Sequence, residues 1–148
     1  MKKIKIIFAS RGSAAKTIAC YIAKKLQVND DDVFNVSAHE LNSNDIIFEH
    51  LILVCPTYGD EELEEGMENF LIKSDWSKHI GLTFSAVEMG LYRGYDSPLL
   101  GAAKIIQLFL NKQGLMQSTN TLSLDSVPSV DFSILEKWLT NNFRNHEK

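Results

Sequence analysis

Apolar residues recur along this chain with two different periods. Ile4 to Phe8, Val33 to Val36, Leu51 to Val54, Ile80 to Phe84 and Thr119 to Leu124 are short runs rich in apolar and β-branched residues. Several are almost continuously apolar, as strands covered on both faces are. Between them the period lengthens. Ala15, Ile18, Ala19, Ile22, Ala23 and Leu26 fall at i, i+3, i+4, i+7, i+8 and i+11 and form one helical stripe. Met67, Phe70 and Leu71 make a second, shorter stripe, and Leu99 to Leu110 is apolar nearly all round. Phe132, Leu135, Trp138 and Leu139 form the last stripe, with Asp131 placed to cap it. The polar segment Ser37 to Asp45 predicts at most a brief helix.

Strand and helix alternating about five times imply an α/β fold: a doubly wound five-stranded parallel sheet with helices on both faces. Right-handed crossovers leave few topologies. Ligands of such sheets sit outside the carboxyl ends of the strands, where strand order reverses. Three loops there carry chemistry: Ser10 to Thr17, Pro56 to Glu65 and Val87 to Pro98.

Composition narrows the class. With 148 residues, 45% hydrophobic and 23% charged, the chain predicts a single domain spanning 1–148 whose core needs neither metal nor disulfide. The two cysteines, Cys20 and Cys55, have no metal-ligand spacing, which fits a reduced, cytoplasmic protein. The apolar part of the N-terminus stops at Ala9-Ser10-Arg11, too short for a signal segment or a membrane span. A net charge of −4 with no basic stripe argues against nucleic acid.

The loop after the third strand reads Thr57-Tyr58-Gly59-Asp60-Glu61 and runs into an acidic helix start, and the loop after the fourth places Gly94-Tyr95 before an apolar helix. With the strand-loop-helix of residues 4–26, these segments resemble, in order, the three ligand loops of flavodoxins, the short-chain kind in length. The resemblance implies the flavodoxin-like fold and bound flavin mononucleotide (FMN), its phosphate in the first loop and its ring between aromatic side chains of the other two. The residues so placed are Ser10, Arg11, Gly12, Ser13, Ala14, Ala15 and Thr17; Pro56, Thr57, Tyr58, Gly59 and Asp60; and Glu88, Met89, Gly90, Tyr92, Gly94 and Tyr95. An aromatic beside a flexible glycine can lie flat on a planar ring; the plainer alternative is that Tyr58 and Tyr95 only cap the sheet edge. In the family, the peptide after the residue that Gly59 matches changes orientation with redox state.

Two loops depart from the family pattern. Flavodoxins usually show Ser/Thr-x-Thr-Gly-x-Thr in the first loop; this chain has Ser10-Arg11-Gly12-Ser13-Ala14-Ala15, so only the first hydroxyl is in register. The phosphate is then expected to rest on backbone amides of residues 11–15, with Ser10, Ser13, and Arg11 or Thr17. In the third loop Gly90-Leu91 stands where Gly-Asp is common.

Asp60, Glu61, Glu62, Glu64, Glu65 and Glu68 would disfavour an anionic reduced flavin and steer basic-faced redox partners, a reductase and an acceptor; carboxylates also suit a helix N-terminus. The expected function is a low-potential electron carrier, not an enzyme, acting as a monomer without membrane contact. Open alternatives are a flavin-free protein-interaction module and, more remotely, a small flavin-dependent reductase. A receiver domain would need acids after the first strand, and a low-molecular-weight phosphatase a Cys and Arg in one loop. Both are missing. His39, His50, His79 and His146 have no ligand spacing and are assigned no role, and no metal site is expected.

Overall fold

A computed structural model describes residues 3–10, 12–57, 63–90, 101–125 and 129–143. It contains β1 (Ile4–Phe8), α1 (Ala14–Leu26), β2 (Val33–Asn35), β3 (His50–Pro56), α2 (Glu65–Lys73), β4 (Thr83–Gly90), α3 (Ala102–Lys112), β5 (Met116–Gln117), β6 (Leu122–Asp125) and α4 (Phe132–Asn142). All strand pairs are parallel, in the order β2-β1-β3-β4, with β5 and β6 both on the outer edge of β4. Strand order therefore reverses between β1 and β3. Phe8, Val54, Val87 and Leu122 lie in one row across the sheet.

Because both faces are covered, successive residues of one strand enter different cores. Leu51, Leu53 and Cys55 pack with Met67, Phe70 and Leu71 of α2 and Ile106 and Leu110 of α3. Ile52 and Val54 pack with Ile18 and Ile22 of α1 and Leu135 and Trp138 of α4. Leu51 to Cys55 are all fully buried, and each large apolar side chain so placed contributes roughly 1.5–3 kcal/mol.

Two strands differ from expectation. β4 runs Thr83–Gly90 rather than Ile80 to Phe84. Ile80 is exposed, and Gly81 at positive φ precedes the strand. The polar Ser85 and Glu88 interrupt its apolar pattern, yet both are buried with hydrogen-bond partners.

The fifth strand is split. Thr119, placed at the strand start by the sequence, lies between β5 and β6 and is buried, its hydroxyl donating to Ser85 Oγ at 2.8 Å. Ser85 Oγ lies 2.8 Å from His50 Nε2, and Thr83 Oγ1 lies 2.8 Å from His50 Nδ1. Side chains take over the carbonyls in the break: Gln117 Nε2 donates to Thr119 O and Trp138 Nε1 to Asn120 O, at 2.7 and 2.9 Å. His50 thus has a structural place that spacing did not reveal. So does His79, which stacks on Phe48 at 4.6 Å and reaches Ser43 O at 3.1 Å. The Leu99 to Leu110 helix begins later, at Ala102; residues 99 and 100 lie outside the described residues. The segment after β2 contains only a single 3₁₀ turn, Ser43–Asp45.

Candidate functional site at the carboxyl ends of β1, β3 and β4

Parallel pairing brings the ends of β1, β3 and β4 to one rim. The ladder continues past the strands through Ala9 N to Val54 O at 3.0 Å and Thr57 N to Met89 O at 2.9 Å. The first loop is tied to β2: Ser10 N donates to Ser37 Oγ, and Ser37 N to Asn35 Oδ1, both at 2.9 Å. Along the chain Ser37 is only one member of a polar stretch; its contact with a residue 27 positions earlier exists only in the folded chain. Ser10 Oγ donates to Gly12 O inside the loop.

Four α-helices lie within the described residues, and their N-termini differ in one respect. In α2 the Glu64 carboxylate accepts from Met67 N at 3.0 Å. In α4, Asp131 accepts from Ser133 N at 3.0 Å. In α3, Thr57 Oγ1 accepts from Ala102 N at 3.0 Å and Glu88 Oε1 from Ala103 N at 2.9 Å. Only α1 has no such partner among the described residues. Ser13, its N-cap residue, makes no side-chain cap bond, and no acid lies in the first turn. A helix start leaves its first amides pointing outward with a partial positive charge.

The expected phosphate residues divide accordingly. Gly12 and Ser13 are exposed, and a Cβ on Gly12 would meet nothing within 4 Å. Ala14 and Ala15 are already helical, and Ala15 is buried against the core, so its contribution is its amide. Thr17 Oγ1 donates to Ser13 O at 2.8 Å, within its own helix. Arg11 lies outside the described residues, as do Tyr58, Gly59 and Asp60, and Tyr92, Gly94 and Tyr95.

In the other loops, Thr57 stands at the end of β3 and Gly90 at the end of β4. Met89 is buried, its side chain in the core beside α1 and α4, so that it offers the rim only its backbone. Glu88 is buried too, its carboxylate facing the start of α3. Glu64, expected on the acidic surface, is an internal cap; Glu65 and Glu68 are exposed in the first turn of α2.

Burial pushes the Cys55 thiol up to about 12, opposed by a hydrogen bond from the Glu64 backbone and reinforced by the Glu64 and Glu88 charges. It is an inert core residue, as a lone cysteine at a strand end suggests. No cluster of three metal-ligating side chains occurs among the described residues, and no helix there is long and apolar enough to cross a membrane.

An anion would find first-turn amides at α1 that no side chain among the described residues caps, on the same rim as the carboxyl ends of β3 and β4. A family model for flavodoxin matches residues 6–138, and the chain belongs to the flavodoxin family. Its fold is similar to that of oxidised flavodoxin 1 from Bacillus cereus (19% identity, 95% of this chain and 94% of the other, TM-score 0.72). The TIGR4 flavodoxin of Streptococcus pneumonia is comparable (22% identity, 96% and 97%, TM-score 0.73). A Fusobacterium nucleatum flavodoxin, solved bound to flavin mononucleotide, is 27% identical over 79% of this chain and 69% of its own, with a TM-score of 0.61. Among curated proteins none matches. At the level of the family, flavodoxins are FMN-binding electron carriers rather than enzymes.

Proposed function

We propose that this chain binds FMN and carries electrons between a reductase and redox acceptor proteins, with no substrate turnover of its own. The observation that carries the reading is the start of α1. It lies after β1 beside the reversal of strand order, and it alone of the described helices has no side-chain acceptor for its first-turn amides among the described residues. Residues 12–15 hold the phosphate through backbone amides, and Ser37 fixes the loop through Ser10 N. When bound, FMN supplies the redox chemistry; the chain supplies position and field. Glu65 and Glu68, exposed in the first turn of α2, give this side a negative potential. That field suits basic-faced partners and makes association faster at low salt.

Titration of the apoprotein with FMN and with riboflavin tests the reading. Tight FMN binding with quenched flavin fluorescence, and much weaker riboflavin binding, is the expected result. A colourless protein that gives neither heat nor quenching with FMN overturns it in favour of a flavin-free interaction module.

A further inference from the structure

Glu88 is a buried carboxyl residue two positions before the carboxyl end of β4, the end that faces the rim. Its carboxylate collects donors from three other parts of the chain. Oε1 accepts from Thr57 Oγ1 at 3.3 Å and from Ala103 N at 2.9 Å, and Oε2 accepts from Ser123 Oγ at 2.5 Å. Thr57 closes the circuit, because the same hydroxyl oxygen accepts from Ala102 N at 3.0 Å. Gly101 is what lets the chain come so near: a Cβ there would collide with the Glu88 carboxylate.

In chain order, Thr57 is where β3 gives way to the segment 58–62, and Gly101 and Ala102 are where the segment 91–100 ends. One carboxylate therefore holds the entry of one rim loop and the exit of the other. All the donors suit an acceptor-only group, and hydrogen bonds to a charged acceptor are roughly twice as strong as neutral ones.

We propose that Glu88 is a positioning residue that couples the carboxyl end of β3 to the start of α3, so that Thr57, Ala102 and Ala103, on the rim where the flavin is proposed to bind, are held by a single buried carboxylate. The inference rests on the flavin-binding reading above, but its anchor can be measured without flavin. Losing the anchor releases the end of β3 and the start of α3 and leaves the phosphate cradle at α1 untouched, so the two flavins must suffer equally.

The test compares Glu88→Ala, Glu88→Gln and Thr57→Val with wild type. Glu88→Ala and Thr57→Val are expected to weaken FMN and riboflavin binding by the same factor, on the order of tenfold or about 1.4 kcal/mol, with the preference for FMN unchanged. Glu88→Gln should stay within about threefold of wild type, since its amide oxygen keeps the Oε1 role and the Ser123 hydroxyl can turn to accept. In the apoprotein, Glu88→Ala and Thr57→Val should speed amide exchange at Ala102, Ala103 and position 57 while residues 51–55 stay protected. Should Glu88→Ala fail to fold, Thr57→Val gives the same readings. Unchanged affinity for both flavins despite faster exchange at Ala103 would reduce Glu88 to a helix cap and overturn the proposal. If wild type itself binds no flavin, the cofactor reading fails and exchange decides the anchor: joint acceleration at Thr57, Ala102 and Ala103 upholds the coupling, and acceleration at Ala103 alone refutes it.

Discussion

Replacing Ser13 by aspartate should stabilise the apoprotein and weaken FMN binding at the same time. Ser13 occupies the N-cap position of α1, is exposed, and makes no cap bond, and the first turn holds no acid. A carboxylate placed there meets the positive end of the helix, which contributes roughly 0.3–1 kcal/mol; for a domain of this size that raises the thermal midpoint by about 1–4 °C. The same carboxylate would lie about 6 Å from a phosphate on the first-turn amides. One charge facing the phosphate's two, at an effective dielectric of about 40, is repelled by ~3 kcal/mol. Salt trims this, so the expected loss of FMN affinity is between roughly tenfold and a hundredfold at physiological ionic strength. Riboflavin has no phosphate and should bind Ser13→Asp as it binds wild type. Calorimetry of the two apoproteins and titration of each with both flavins at low and high salt measure every part of this. Equal losses for FMN and riboflavin, or none for either, would remove the phosphate from α1.

Gly12→Ser should tighten FMN binding a few-fold without steric cost, because the space around its Cβ is open; affinity by fluorescence quenching checks this, and weaker binding would mean the loop has no room for a hydroxyl beside the phosphate. Iodoacetamide should alkylate the exposed Cys20 and spare the buried Cys55, whose thiol burial holds near 12. Mass spectrometry should then find one adduct on the native chain and two after denaturation. Burial holds His79 below its ordinary 6.5, so the unfolded chain takes up this proton first. Stability is therefore lost as pH falls below about 6.5 toward the lower folded value, and denaturant midpoints of His79→Gln should fall less steeply over that window than those of wild type. Trimming the fully buried Leu135 to alanine should cost about 2–5 kcal/mol, read as a lower urea midpoint of the apoprotein; a loss under 1 kcal/mol would mean that the α4 face is loosely packed.

Local patterns along the chain dictate the architecture and the rim at which the functional loops gather. Apolar runs such as Leu51 to Val54 must be covered on both sides, the stripe from Ala15 to Leu26 must face a sheet, and parallel crossovers then carry the loops after β1, β3 and β4 to a common edge. Those are local periodicities and chirality rules, and they survive translation into space. Tertiary structure decided what polar residues do. Ser85 and Glu88 look like interruptions of a strand, and Thr119 like a strand residue, until His50, α3 and the rest supply partners far away in the chain. Glu64 and Glu65 are neighbours of one kind, yet folding makes one an internal cap and leaves the other facing solvent. A buried polar group is stable only when donors and acceptors converge on it, and convergence is a property of three-dimensional position that no spacing along the chain encodes.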